Sequence, residues 1–498
     1  MVFDDSLAGA VRTVLTESGA VGVTVLQIAR RLEDSPTRVE AVLDRLESRG
    51  DVLCMGRGLW VLKDYELLER RADFVDAQAY RERFEREVGV RLGTYAGPIT
   101  FRSNEALPVH RWWPYVQGFS AEFVRGVLAS HSIGPGATVL DPFAGSGTTL
   151  VEARRAGALA VGTELLAPAV LAARVKTDFE LDPQSLEGAA ARVVRSALRR
   201  RAGRLPFLRE TRRQFPARNL ADLTRLRDSL PDERSDISDA LRLAFGRILI
   251  PSSRLHRSPC LGYSRAPASD GPGVLVRFRE AIREMGVDLT ALSSERDGWG
   301  PSARIEQHDA RDGRWPSGSV DLAVTSPPYV NGMDYVMNYK VDLAWLGYAR
   351  SYGDLAALRR AEVACDNLPR SETAAYLATG SVPDPWLLEI LPKIRENVRR
   401  KGSYRRDDVH AVVHRYFADL VPILEAVRRA LKPRGRFIVV VGDSLLAGVY
   451  VPGDLILARL AAARGFSVES VEVARRRRSG QRRNFELRES VLTLVRQG

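Results

Sequence analysis

Two short segments carry residues whose types and spacing could do chemistry: Asp141-Pro142-Phe143-Ala144-Gly145-Ser146-Gly147-Thr148-Thr149 and, later in the chain, Thr325-Ser326-Pro327-Pro328-Tyr329. In the first, Gly145 and Gly147 let a ligand approach the main chain closely where a strand turns into a helix, which suits a nucleotide-like cofactor. A glycine pair alone is a weak signal, since it also serves structural turns. In the second, two prolines fix φ and remove two backbone donors, so the carbonyls around them stay free and rigidly aimed. An amino group on an aromatic base is a poor nucleophile because its lone pair is delocalised into the ring. The Ser326 hydroxyl and the Pro327 carbonyl could hold its two hydrogens, favouring a pyramidal nitrogen with its lone pair aimed at an electrophile. Tyr329 could stack on a base drawn out of its helix. A Pro-Pro turn capped by a surface tyrosine would read the same way in isolation, so the weight lies in finding both segments in one chain.

Two acidic residues add to the pattern. Glu164 lies about twenty residues beyond the loop, where a carboxylate can accept both hydroxyls of a ribose. Asp309 ends a later strand and could accept from an adenine amino group. A dinucleotide is disfavoured, because the third glycine of that fingerprint is replaced by Leu150. With the order loop, Glu164, Asp309 and proline pair complete, DPFAGSGTT resembles motif I of the amino-methyltransferases. The chain is similar, over roughly residues 100 to 497, to SPPY-containing DNA amino-methyltransferases, which use S-adenosyl-L-methionine and modify cytosine N4 or adenine N6.

That resemblance implies cofactor contacts from Asp141, Pro142, Phe143, Gly145, Ser146, Gly147, Thr148, Thr149, Glu164 and Asp309, and catalysis by Ser326, Pro327, Pro328 and Tyr329. Phe119 and Ser120 resemble the element that closes over the cofactor's methionine part, although a helix N-cap at Ser120 with Phe119 in the core is an equal reading. Serine ahead of the proline pair resembles cytosine-N4 enzymes; Asp or Asn there is more usual for adenine N6. The loop precedes SPPY, so the chain departs from the circularly permuted arrangement of many cytosine-N4 enzymes. Carbon-5 methylation fits poorly: Pro259-Cys260 lies away from the fourth-strand turn where its nucleophile would sit, and Cys260 reads as a small buried apolar residue.

The elements that must position these residues read as α/β. The expected fold is a Rossmann-like seven-stranded methyltransferase sheet with an inserted helical region and an N-terminal winged-helix domain. Residues 1–63 give three helices and a hairpin, 64–100 a helical linker, and 101–174 the cofactor half. Residues 175–300 form an arginine-rich insertion that is the candidate for target recognition, and 301–498 the catalytic half. The third N-terminal helix presents Arg38 and Arg45, suited to a DNA groove, or the unit packs against protein instead. The run Arg475, Arg476, Arg477, Arg478, Arg482 and Arg483 reads as a basic loop touching phosphates, or as a solvated face.

Bulk properties agree with a polyanion partner without requiring one: 74 Lys+Arg against 62 Asp+Glu leave a net charge of +12 over 498 residues. The three cysteines are dispersed, with no metal-ligand spacing, as expected of a reducing cytoplasm. No apolar run has the length of a bilayer crossing. Double-stranded DNA is the expected partner, with the winged helix as an accessory reader; a restriction or defence-system partner is compatible with the resemblance. An RNA amino-methyltransferase and a non-catalytic DNA-binding regulator remain the rivals.

Overall fold

The computed structural model describes residues 5–18, 23–49, 51–55, 59–62, 77–115, 118–258, 260–264, 272–330, 332–364, 373, 384–401, 406–478 and 485–498. The N-terminal unit has helices Asp5–Ser18, Val25–Leu32 and Pro36–Ser48 and strands β1 (Val23–Thr24), β2 (Val52–Met55) and β3 (Leu59–Leu62), paired antiparallel in the order β1-β3-β2. Its helix starts follow from local chemistry. Thr24 and Gln27 form a reciprocal capping box, and Ser35 caps the third helix with Pro36 in the first turn. Val11, Leu15, Ile28, Val39, Leu43 and Trp60 give this unit a core of its own. The glycine turn of its hairpin, Gly56 to Gly58, lies outside the described residues.

A helix spans 77–88, and the strand β4 (Leu92–Thr94) follows it. Reading 64–100 as a purely helical linker is therefore corrected at its end. β4 is short and largely exposed, so no apolar alternation marks it in the sequence. The remaining strands are β5 (Thr138–Asp141), β6 (Leu159–Glu164), β7 (Leu255–Arg257), β8 (Leu261–Tyr263), β9 (Arg304–Gln307), β10 (Val320–Thr325), β11 (Leu431–Gly442), β12 (Ser444–Leu446), β13 (Val449–Val451), β14 (Phe466–Arg478) and β15 (Glu486–Arg496).

The main sheet runs β4-β14-β15-β11-β10-β5-β6-β9, so the seven expected strands are present and β4 adds an eighth at the edge. Strands β9, β6, β5, β10 and β11 are parallel; β15 is antiparallel to both β11 and β14. Burial on both faces explains the continuous apolar run of β11. Ile438 and Val440 pack with helix Ala121–Ser130 on one side, whereas Phe437, Val439 and Val441 pack with helices Pro385–Lys401 and Val409–Ala430 on the other. The fold is α/β.

The insertion is helical, with helices Pro183–Arg199, Thr211–Gln214, Ala217–Arg227, Asp236–Leu249 and Val274–Leu292 around the β7–β8 hairpin. It shares one core with helix Ala167–Thr177 and with Tyr339, Leu343 and Trp345 beyond SPPY, which ties it to the sheet's catalytic edge. Two expectations fail here. Cys260 is exposed on that hairpin, because a three-residue strand outside the main sheet has no second layer to cover it. Arg475 to Arg478 form no loop: they extend β14, opposite Glu486 to Glu489 of β15, so cross-strand pairing outweighs the charge run.

Chain order reverses between β5 and β10, which places a topological switch point at their carboxyl ends, where such sheets bind ligands. Asp141, 1% exposed, closes that point. Its carboxylate accepts from Thr149 Oγ1 at 2.6 Å, Thr325 Oγ1 at 2.6 Å and Phe143 N at 3.0 Å. Asp141→Ala strands two hydroxyls and one N–H, at about 1–3 kcal/mol for each group left unpaired. Urea unfolding should show a loss of about 3 kcal/mol or more, and Asp141→Asn a smaller one; an alanine variant within about 0.5 kcal/mol of wild type would contradict this role.

Candidate active site

Thr148 to Arg155 form the helix that opens after the loop, and Gly145 (φ 50°) and Gly147 (φ 87°) make the turn into it. A Cβ at Gly145 would lie 2.9 Å from Tyr115, and one at Gly147 would lie 2.9 Å from Ala173, so both packing and φ exclude larger residues. Glu164 at the end of β6 braces the loop: its two carboxylate oxygens accept from Gly145 N at 2.9 Å and Leu166 N at 2.8 Å. Burial pushes the Glu164 carboxyl up to about 7, opposed by those backbone donors. Beneath the loop, the buried Lys176 donates to Trp113 O at 2.8 Å and Ser146 Oγ at 3.2 Å. Desolvation holds its ammonium well below the usual lysine range.

These elements wall a cleft of about 920 Å³, its open mouth included, lined by Asp141, Pro142, Phe143, Gly145, Ser146, Thr148, Glu164, Asp309 and Phe119, with Ser326 and Pro328 at one end. Thr149 and Gly147 lie behind this lining, Thr149 held by Asp141 and Gly147 by Ala173. Asp309 is engaged by Arg311, whose Nε and Nη2 reach its two oxygens at 3.0 and 2.6 Å. Ser120 takes the N-cap reading: its hydroxyl accepts from Phe123 N at 3.0 Å and donates to Pro98 O at 2.6 Å.

Ser326 also lines a second, larger cleft together with Pro327, Tyr329, Arg247, Arg257, Arg475, Arg477 and Glu489. Tyr115, Phe119 and Tyr335 border both clefts. Tyr115 stacks against Tyr335 (6.3 Å, 18°) and Tyr339 (5.5 Å, 14°), an aromatic wall that sequence reasoning missed. Its only signal was the cluster Trp112-Trp113-Pro114-Tyr115 ahead of the loop. The Tyr329 phenol donates to Glu489 Oε1 at 2.5 Å; burial and the Glu489 charge hold it well above the usual tyrosine range.

A family model described as a DNA methylase matches residues 114–173, the span from that aromatic wall through the loop and Glu164. The Type II methyltransferase M.AvaI of Nostoc sp. is 24% identical over 428 residues, covering 80% of this chain and 87% of the relative. M.BsoBI of Geobacillus stearothermophilus, also named a Type II methyltransferase, is 23% identical over 430 residues, covering 76% and 83%. The chain is similar to DNA amino-methyltransferases. S-adenosyl-L-methionine is the methyl donor that the sequence resemblance implies, and the cleft lining fits it. The Oε2 atom of Glu362, which lines the cleft, is buried without a hydrogen-bond partner, while Oε1 accepts from Val336 N at 3.0 Å. A polar, cationic ligand would satisfy that oxygen. Bare loop backbone, aromatic walls and the carboxylates of Glu164 and Asp309 supply the remaining contacts such a molecule needs.

The expected DNA-contacting arginines divide in the methyltransferase. Arg475 lies 3.6 Å from Glu489, and Arg477 donates to Asp443 O at 2.7 Å; both face the larger cleft. Arg476 points elsewhere, 3.5 Å from Glu486. The Arg478 side chain and Arg482 and Arg483 lie outside the described residues. Arg38 and Arg45, two turns apart on the third N-terminal helix, are exposed on one face. Among the described residues no helix is long and apolar enough to cross a membrane, and no cluster of His, Cys, Asp or Glu could hold a metal ion.

Gly442 was also unforeseen. A Cβ there would lie 3.0 Å from Tyr329 Cε2 and 3.2 Å from Arg477 Nη2. Gly442→Ala should displace the Tyr329 ring and lower single-turnover methyl transfer by roughly tenfold to a hundredfold while calorimetry finds cofactor binding intact. An unchanged transfer rate would show that the ring's position is not critical.

Proposed function

We propose that this methyltransferase modifies an exocyclic base amino group in a specific duplex DNA sequence, cytosine N4, by base flipping and direct transfer. The observation that carries the reading is Ser326, which stands where the cofactor cleft meets the larger, arginine-bordered cleft. A group held at Ser326 from the larger side faces the cofactor side across one residue.

When bound, S-adenosyl-L-methionine supplies an electrophilic methyl group. In this reading Glu164 accepts the ribose hydroxyls, Asp309 the adenine amino group, and the loop from Asp141 to Thr149 encloses the methionine part. Ser326 and the Pro327 carbonyl hold the two target N–H bonds and raise the lone pair out of conjugation; Pro327 and Pro328 keep that carbonyl rigid. Tyr329 supports the flipped base. Arg247, Arg257, Arg475 and Arg477 border the path of the strand, which favours the insertion as the region that reads the target. The N-terminal unit is read as a winged helix that adds DNA contacts through Arg38 and Arg45. The serine ahead of the proline pair supports cytosine N4 over adenine N6.

Expression in a methylation-free host, followed by single-molecule sequencing, should reveal N4-methylcytosine at one short motif. It should vanish in the combined Ser326→Ala, Tyr329→Ala variant, which retains cofactor binding. N6-methyladenine would overturn the base assignment, and modified RNA with unmodified DNA would overturn the substrate.

The Glu164 carboxyl gives a second test. Donation by ribose hydroxyls favours the ionised form, so binding lowers a pKa that stands at about 7 in the free protein. Affinity should therefore rise as pH increases toward 7 and level off above it, with proton release over that window. Calorimetry in buffers of differing ionisation heat measures both quantities; in Glu164→Gln the pH dependence should disappear. Persistence of the dependence in that variant would place its origin elsewhere.

A further inference from the structure

Methyl transfer to an amino group leaves the nitrogen with one proton too many, and a serine hydroxyl cannot keep it. The larger cleft contains a route away. The Tyr329 phenol donates to Glu489 Oε1 at 2.5 Å, and Ser326, three residues before that tyrosine, lines the same cleft. Ser326, Tyr329 and Glu489 thus border one cleft, with the last two joined by a hydrogen bond that ends on a carboxylate. The second oxygen of that carboxylate, Oε2, makes no hydrogen bond and lies 3.6 Å from Arg475 Nε. Gly442 and Arg477, against the Tyr329 ring, keep the middle of the line in place.

We propose that Glu489 is a positioning residue for the transfer step, holding the Tyr329 phenol so that the proton shed by the target amino group passes through Ser326 and Tyr329 to its own carboxylate. The inference rests on the assignment of Ser326 and Tyr329 to the target amino group. The nitrogen lone pair forms the N–C bond as the C–S bond breaks, and sulfur keeps the bonding pair and loses its positive charge. One N–H proton moves to Ser326 Oγ, the serine proton to Tyr329 Oη, and the phenol proton to Glu489 Oε1. Serine and tyrosine end neutral, as they began, and the carboxylate ends as a carboxylic acid facing the cleft, from which solvent recovers the proton. The arrangement explains why an acid sits beside the proline motif on a strand whose next residues, Val491 to Val495, form the apolar sheet.

The test uses the full chain, S-adenosyl-L-methionine and a duplex carrying the motif found by sequencing, in single turnover. Glu489→Ala and Tyr329→Phe should each lower the transfer rate at least tenfold, on the scale of general-base contributions of ~10² or more, with cofactor and duplex affinities within about threefold of wild type. Because both variants interrupt one relay, the double variant should be no slower than the slower single one. Added sodium formate should restore much of the rate to Glu489→Ala, as a small carboxylate entering the vacated position, and none to Tyr329→Phe. A purely structural role for Glu489 would not respond to formate. The relay is overturned if the two losses multiply, if formate leaves Glu489→Ala unchanged, or if either single variant transfers at the wild-type rate. Wild-type protein that makes no methylated DNA amino group overturns the functional reading and the relay together, whereas an active wild type beside an equally active Glu489→Ala removes the relay alone.

Discussion

One buried carboxylate holds the two halves of the chemistry together. Asp141 ends β5, Thr325 ends β10, and the hydrogen bond between them spans 184 residues of sequence at the point where strand order reverses. At such a point a crevice opens outside the carboxyl ends of the strands. Without a tie across it, the glycine loop and the proline pair would be set only by their own turns. Asp141 supplies that tie with one oxygen and fixes the first turn of the loop helix through Thr149 with the other. Burial raises its pKa to about 6, so near neutral pH it is chiefly the charged, stronger acceptor.

The remaining site geometry builds outward from that tie. Glu164 takes the next strand end and clasps the loop's backbone; Lys176 supports Ser146 from below; Tyr115 closes against Gly145, where a side chain would collide with it. Each contact braces the loop from within the protein rather than reaching into open space, which is how a preorganised site limits the reorganisation needed when its ligands arrive. On the far side of SPPY, the buried acids Asp443 and Asp454 anchor Arg488, and Tyr450 donates to Asp443 at 2.7 Å. That network fixes β15 next to Glu489, so the outer end of the proton route is held as firmly as the inner one.

Much of the fold was legible because its signals are local. Strands β5, β6 and β10 run directly into the glycine loop, Glu164 and the proline pair, and the capped helices Val25–Leu32 and Pro36–Ser48 announce themselves through Thr24, Gln27 and Ser35. Motif I and SPPY were legible for the same reason. What could not be read depended on pairing between distant segments. β4 has too few residues to show alternation, Arg475 to Arg478 look like a loop until β15 supplies partners, and Glu489 gains its meaning only from a tyrosine 160 residues earlier. The Ser120 hydroxyl illustrates the opposite limit: a motif position that is engaged by its local capping contact with Phe123 N and by Pro98 O.

The shared wall between the clefts has a physical consequence. Ser326, Tyr115, Phe119 and Tyr335 each face both spaces, and Tyr115 is pinned between two tyrosines on one side and a glycine turn on the other. A wall so tightly packed has few alternative rotamers, and displacement from one side is resisted by everything behind it. A ligand in either cleft therefore meets the same side chains, and any coupling through them would by linkage be equal in both directions. Sequence alone placed the two motifs in order. Their separation by a single residue layer, closed by aromatic rings from two distant segments, is what turns that order into a site where two ligands can meet at one atom.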